Sequence, residues 1–120
     1  MKHELEAVWE RYVLAWKVAG LAEKQASLRD SVAPGCTYTD PLTRAQGWDE
    51  LIAYMLDFHR QAPGAHFVTE HFSTHHKKSL AKWRMVDAAA IKIGEGTSYG
   101  EYDDQNRLIA MTGFFEIPTG

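Results

Sequence analysis

Cysteine is almost missing from this chain of 120 residues, since Cys36 is its only one. A single cysteine cannot close an internal disulfide, so the sequence gives no argument for an oxidising compartment. No uninterrupted apolar stretch approaches the roughly 20 residues that a membrane-spanning helix needs. Residues 1–6 carry acidic side chains where a signal peptide needs an apolar run. We therefore expect a soluble cytoplasmic protein without a membrane partner.

Positive charge is not in excess either. Thirteen Lys and Arg stand against 16 Asp and Glu, which leaves a formal charge of −3. Such a chain has no overall attraction for polyanions, so we expect no nucleic-acid partner. A glycine-rich phosphate loop, a nucleophile elbow and a Cys–His arrangement are also missing from the sequence, and we expect no cofactor. Gly94, Gly96 and Gly100 lie among strand residues, where glycines mark bends in a curved sheet.

Apolar residues recur at helical spacing in three segments. The first stripe predicts a helix that ends near Gly20, and residues 21–32 predict a weaker second helix, which residues 33–35 interrupt. A third helix is predicted from Gly47 to the Pro-Gly pair at 63–64, with acids in its first turn. The first stripe consists of Leu5, Val8, Trp9, Tyr12, Val13 and Trp16.

Turn residues divide the remainder into strands. We predict strands at 66–75, 79–88, 91–102 and 107–117, joined as a meander. A short β-like run precedes the third helix at 36–40, and residues 42–46 have the composition of a loop. Helices first and an antiparallel sheet afterwards predict an α+β layout, and the length fits one domain over residues 1–120.

Several short segments, in this order and spacing, resemble the NTF2-like superfamily. They are Glu-Arg-Tyr-Val at 10–13, Tyr-Thr-Asp-Pro at 38–41, Gly47, Asn-Arg-Leu-Ile at 106–109 and Thr-Gly-Phe-Phe at 112–115. The sequence is most similar to SnoaL-like polyketide cyclases and ketosteroid isomerase-like proteins. The resemblance implies an NTF2-like (cystatin-like) cone, in which three helices pack on a strongly curved, mainly antiparallel sheet that encloses a pocket.

The resemblance also implies catalytic positions. In ketosteroid isomerases the Asp of the Asp-Pro element is the general base, and a Tyr on the first helix with a late-strand Asp forms the oxyanion hole. Carried over, Asp40 is the base and Tyr12 is an oxyanion donor. Ser98 stands at the position of the second donor, where a hydroxyl donates more weakly than a carboxylic acid. Two alternatives stay open: Asp40 as a brace of the loop before Gly47, and Tyr12 as a core tyrosine.

Strand alternation adds pocket candidates. If Phe67 faces inward, His71 does so too, and it then lies where an acid or base near Asp40 is useful. An apolar and aromatic lining with a few polar groups is typical of a small-molecule site, and equally of an ordinary core. With alternation and the resemblance combined, the pocket candidates are Trp16, Met55, Phe67, His71, Trp83, Ser98, Met111 and Phe115.

The six histidines do not predict a metal site. His71 and His75 are four residues apart on a predicted strand, hence about 13 Å apart. Zn²⁺ needs ligands near 2 Å, so these two cannot share one ion, and we expect no metal. His59 ends the apolar stripe of the third helix, where a satisfied or half-buried histidine is expected.

These features predict a protein that binds a small, largely apolar molecule. If it is an enzyme, we expect a cofactor-free isomerase, cyclase or dehydratase acting on a ketone-containing or polyketide-like substrate. The alternatives are a non-catalytic binding module and a dimerisation module, since the resemblance implies a homodimer paired through the sheet. The side chains expected on the outward faces of the strands are Leu80, Val86, Leu108 and Phe114.

Overall fold

The computed structural model describes residues 3–116. Three helices and six strands lie within them, which confirms the predicted α+β class. No helix among these residues is long and apolar enough to cross a bilayer. In chain order the elements are α1 (Glu4–Ala15), α2 (Leu21–Arg29), β1 (Val32–Asp40), β2 (Thr43–Gln46), α3 (Gly47–Gln61), β3 (His66–His75), β4 (Lys78–Val86), β5 (Lys92–Tyr102) and β6 (Leu108–Phe114).

The six strands form one sheet in the order β2-β1-β6-β5-β4-β3. The last four strands pair as the predicted antiparallel meander. β1 lies parallel to β6, because the chain passes through α3 and the meander before it returns to the centre of the sheet. The sheet is therefore mixed, and β2 and β3 are its edges.

The start of the sheet differs from the sequence prediction in two places. β1 begins at Val32, and it passes through Pro34 and Gly35 with a register shift instead of starting after them. Residues 43–46, predicted as a loop, form β2, which pairs with β1 through a tight hairpin that brings Asp40 opposite Thr43. A four-residue strand with one buried side chain, Ala45, is too short to show alternation.

Two one-residue register shifts overturn predictions made from alternation. Between Thr69 and His71 one residue of β3 is unpaired, so that His71 lies opposite Lys82 and is exposed, while Phe72 takes the inner position. The prediction that His71 faces the interior is therefore wrong. A comparable shift between β5 and β6 turns Leu108 into the core, although it was expected on the outward face. A bulge moves every later side chain of its strand to the other face.

The remaining outward predictions divide. Leu80 and Phe114 are exposed on the outer face, at 51% and 58%. Val86 is buried and not exposed, which corrects the expectation for it. It ends β4 beside the turns at Gly64 and Ala88, which approach so closely that a Cβ on Gly64 would clash with Ala88.

α1 and α3 pack on the inner face of the sheet because each has one apolar stripe, whereas α2 buries Lys24 and Leu28. The predicted stripe of the first helix is buried at Leu5, Val8, Trp9, Tyr12 and Trp16, whereas Val13 is half-buried. The acidic side chains of the first helical turn lie where the positive end of the helix dipole favours them. Side chains from all three helices and from the central strands thus share one core.

A buried lysine, which the sequence pattern did not predict, joins the three helices. Lys24 on α2 is fully buried, and its Nζ donates to the carbonyl oxygens of Ala15 and Val18, both at 2.6 Å. Its third contact is His59 Nε2 of α3 at 2.7 Å, which accepts when the ring proton is on Nδ1. These bonds satisfy carbonyl groups at the end of α1, where the helix leaves them without partners.

Burial sets the proton affinity of both members of this pair. Desolvation lowers the pKa of Lys24 to about 8. Desolvation also lowers the pKa of His59, and the neighbouring Lys24 charge lowers it further. A neutral His59 is therefore the form that accepts the hydrogen bond from Lys24.

Candidate functional site

Seven aromatic side chains form a continuous arc over the concave face of the sheet. They come from the C-cap of α1, from α3, from the strands β1, β3 and β4, and from the residue that follows β6. Consecutive ring centroids are 5.0 to 6.3 Å apart. Edge-to-face contacts dominate, as is usual for packed aromatic rings. In order along the arc they are Tyr38, Tyr54, Trp16, Phe58, Phe67, Trp83 and Phe115, and we call them the aromatic arc.

The aromatic arc is not sealed from solvent. Trp16 and Tyr38 are buried, but the other five rings are only half-buried although they point toward the inner side of the sheet. Rings in a closed core would be buried completely. Part of the arc is therefore accessible to solvent on the inner side of the sheet.

Asp40 stands at one end of this arc with both carboxylate oxygens fully engaged. Oδ2 accepts from the phenol groups of Tyr38 at 2.6 Å and Tyr54 at 2.9 Å. Oδ1 accepts from the backbone N–H groups of Leu42 at 2.8 Å and Thr43 at 3.1 Å. Because a carboxylate offers about four lone-pair positions, each of them has a donor. Asp40 thus braces the β1–β2 hairpin, as the alternative interpretation has it, and also contacts two rings of the aromatic arc.

The two phenols remain neutral donors. Desolvation raises the pKa of Tyr38 far above its ordinary value of 10, and Tyr12 and Asp40 add to the effect. Desolvation is also the largest cause for Tyr54, whose pKa rises well above 10, with the Asp40 hydrogen bond and charge next. The negative charge of this cluster is therefore confined to the carboxylate.

Tyr12 lies deeper than its predicted role as an oxyanion donor requires. It is 3% exposed, its ring packs on Trp9, and its Oη accepts from Trp16 Nε1 at 3.0 Å. Desolvation raises the pKa of its phenol well above 10. The phenol beside Asp40 at the open surface is instead that of Tyr54, which the sequence analysis did not select.

A second polar group, the Ser98 hydroxyl, lies on the other side of Gly113 from Asp40. Trp83 Nε1 donates to Ser98 Oγ at 2.9 Å, and within residues 3–116 the Ser98 hydroxyl donates to no other group, so its proton is free for a ligand. Gly113 lies between the two: a Cβ there would be 3.5 Å from Asp40 Cβ, 3.7 Å from Tyr38 Oη and 3.8 Å from Ser98 Oγ. The missing side chain of Gly113 leaves a space that three polar side chains border.

The other predicted pocket residues fall into two groups. Met55 and Met111 are fully buried in the core below the arc, and Trp16 is nearly so. The half-buried candidates on the concave face are Phe67, Trp83, Ser98 and Phe115.

Two further observations concern metal binding and a groove next to the site. No group of three or more His, Cys, Asp or Glu side chains that could hold a metal occurs in the described part of the chain. A separate groove of about 470 Å³ lies between α1 and β3, with Glu6, Glu10 and Lys17 on one wall and Phe67 at its border with the aromatic arc. Asp40 and Ser98 do not line this groove.

A scan of protein-family profiles and a search of curated proteins each find no match to this sequence. Solved structures do match. An Agrobacterium tumefaciens protein, provisionally described as an isomerase of the SnoaL-like family, superposes with a TM-score of 0.84 at 20% identity, over 92% of this chain and 96% of that one.

Two more structures give the same result at lower identity. A protein of unknown function with a cystatin-like fold from Methylobium petroleophilum has a TM-score of 0.77 at 14% identity, over 97% of this chain and 78% of that one. An NTF2-like protein of unknown function from Cytophaga hutchinsonii has a TM-score of 0.71 at 6% identity, over 97% and 93%. Identities this low establish the fold alone.

Proposed function

We propose that this protein, which has the cystatin-like fold of NTF2-like proteins, binds a small, largely apolar molecule against the aromatic arc beside Asp40. One observation carries the proposal: five inward-pointing aromatic rings keep solvent exposure around a single carboxylate. Concave apolar surface with a few convergent polar groups is the usual composition of a small-molecule site.

The energetics favour a ligand on this surface. Each 100 Å² of apolar surface that a ligand covers contributes roughly 2.5 kcal/mol before the costs of association. The polar groups then fix its orientation, because Asp40, Tyr38 Oη and the Ser98 hydroxyl border the same space at Gly113. A ligand with one polar end and an apolar body fits this arrangement.

Filling the space at Gly113 tests the proposal. A library of small apolar molecules is screened by tryptophan fluorescence and thermal shift against wild type, Gly113→Leu and Gly35→Leu. A Cβ at Gly113 meets only ordinary contacts, whereas one at Gly35 on exposed β1 has nothing within 4 Å, which makes Gly35 the matched control. We expect ligands that bind wild type and Gly35→Leu to lose affinity at least tenfold in Gly113→Leu.

The milder Gly113→Ala variant guards against misfolding, since its one methyl group has room, and it should weaken binding less than the leucine. If the ligands bind Gly113→Leu as tightly as wild type, the site lies elsewhere on the molecule.

A catalytic role is the second candidate, favoured by the half-buried position of Asp40 opposite the Ser98 hydroxyl. The protein would then be a cofactor-free isomerase, cyclase or dehydratase with Asp40 as base. All lone-pair positions of Asp40 have donors, so Tyr54 must first release Oδ2. Turnover of enolisable ketones should then rise in Tyr54→Phe and vanish in Asp40→Asn. Equal rates in these variants and in wild type would exclude Asp40 as the base.

We also propose that a second copy of the chain pairs with the outer face of the sheet. Leu80 and Phe114 are large, apolar and exposed there on β4 and β6. Light scattering after size exclusion should give a dimer mass for wild type and a monomer mass for Phe114→Lys. A monomer mass for wild type at about 100 µM would contradict this assembly.

A further inference from the structure

The charge of Asp40 has no cationic partner in the site. Among the aromatic arc and its side-chain hydrogen-bond partners, Asp40 is the only formally charged residue. The ion pairs of the described residues, Arg60–Asp57, Arg84–Glu70 and Lys92–Glu95, are exposed and do not include it. Hydrogen bonds from neutral donors disperse the carboxylate charge but leave its sign unchanged.

Tyr54 carries this negative potential to the open surface. Its hydroxyl donates to Asp40 Oδ2, so its oxygen lone pairs remain for an outside donor, and a phenol that donates to a carboxylate is a stronger acceptor. Burial and the Asp40 charge raise the pKa of Tyr54, which keeps this phenol protonated. A cationic group of a ligand, with or without an N–H, therefore meets a polarised oxygen in front of a negative charge.

The aromatic faces act in the same direction. The faces of Trp, Tyr and Phe rings are negative and attract cations, most strongly where water is excluded. Trp83, Phe67 and Phe58 are half-buried members of the arc, so part of each side chain borders solvent that a ligand can displace, although Phe58 and Phe67 each use one face to stack on the other. An anion in the same place would be repelled by the negative ring faces and by the Asp40 carboxylate.

We infer that the ligand of the proposed site is an organic cation, a small amine or quaternary ammonium with apolar substituents. This inference rests on the proposed binding function and adds the charge of the ligand to it. The ammonium group lies at the Tyr54–Asp40 end of the arc, and the apolar substituents cover the rings toward Trp83.

Three probes of similar shape and different charge test it: phenyltrimethylammonium, its neutral isostere tert-butylbenzene, and the anion benzenesulfonate. Affinities are measured by tryptophan fluorescence at low ionic strength in wild type, Asp40→Asn and Asp87→Asn. Asp87 accepts from the backbone N–H groups of Ala89 and Ile91, so it is an equivalent turn aspartate without phenol partners. We expect the cation to bind at least about tenfold more tightly than tert-butylbenzene in wild type and in Asp87→Asn.

In Asp40→Asn the cation should lose about tenfold in affinity, while tert-butylbenzene changes less than about twofold. Circular dichroism confirms that the variant is folded, and added salt gives a second test that leaves Asp40 and its hairpin brace in place, because salt screens the attraction between unlike charges. Added salt should weaken cation binding and spare the neutral probe.

The outcomes separate the two claims. If tert-butylbenzene or benzenesulfonate binds as tightly as the cation, and Gly113→Leu abolishes that binding, the site stands and the cation preference is overturned. If none of the three probes binds wild type, the binding site itself is overturned, and the inference falls with it.

Discussion

Removing the Asp40 carboxylate should destabilise the fold far more than removing an ordinary turn aspartate. Asp40 accepts four hydrogen bonds, two from the backbone of its hairpin and two from phenols. Asp87 accepts two backbone N–H groups in the turn between β4 and β5, and no phenol. The two residues therefore share the turn brace and differ in the phenol partners.

The size of each loss of stability depends on whether the donors that lose their aspartate partner can reach water. Loss of the turn brace costs about 1 kcal/mol at either site, as for a helix-capping side chain near water. Tyr38 is buried, so its hydroxyl loses its partner without gaining water, which costs about 1 to 3 kcal/mol. Half-buried Tyr54 can reach solvent and adds little. We expect a loss of about 3 kcal/mol for Asp40→Ala and about 1 kcal/mol for Asp87→Ala.

Urea unfolding at pH 7, followed by tryptophan fluorescence, measures the loss in free energy of unfolding for both variants against the same wild type. Tyr38→Phe with Asp40→Ala closes a double-mutant cycle, in which the phenylalanine should restore about half of the lost stability because it removes the buried donor. Equal losses for Asp40→Ala and Asp87→Ala would refute the account of the phenol cluster.

Two further predictions concern the packing and the helix junction. A Cβ on Gly96 would lie 2.4 Å from the Trp83 ring, whereas one on Gly94 has no neighbour nearer than 3.4 Å. In urea unfolding, Gly96→Ala should therefore cost about 2 kcal/mol and Gly94→Ala about 0.5 kcal/mol or less. Similar losses in the two variants would contradict this role of Gly96. Because the pKa of His59 is lower in the folded state than its ordinary 6.5, its contribution to stability is present above pH 6.5 and is lost as the pH falls through the folded pKa. His59→Gln keeps an acceptor for Lys24 but does not titrate, so its urea midpoint should fall less than that of wild type between pH 7 and 5. If the urea midpoints of the two proteins fall in parallel with pH, His59 is excluded as a source of the acid sensitivity.

The fold was predictable because its signals are local and repeated. Turn residues bound each strand of the meander, and the predicted strand at 66–75 agrees with β3 to the residue. The NTF2-like, cystatin-like fold expected from the motifs is confirmed by the structural matches. What sequence alternation could not predict is the one-residue bulge in β3, because no residue type requires it there. That bulge alone decides that His71 faces solvent and Phe72 the interior.

The site was predictable only in part. Asp40 was selected by its motif, which also contains its partner Tyr38, but Tyr54 was not selected, because a hydrogen bond between side chains 14 residues apart leaves no spacing signal. Tyr54 lies at the edge of the α3 stripe, three residues after Leu51, and a wider stripe would have included it. Tyr12 was carried over from the isomerase pattern, whereas its place in the apolar stripe of α1 favoured the core position that it has beside Trp9 and Trp16.

The four tryptophan indole N–H groups provide the most direct test of ligand binding at the aromatic arc. In a titration with phenyltrimethylammonium followed by ¹H–¹⁵N NMR, the Trp83 indole resonance should shift most, because its N–H donates to Ser98 inside the site. Trp48, which donates to the carbonyl of Val32, and Trp9 in the core lie outside the arc and should not move. Shifts at Trp48 or Trp9 with an unchanged Trp83 resonance would contradict the proposed site.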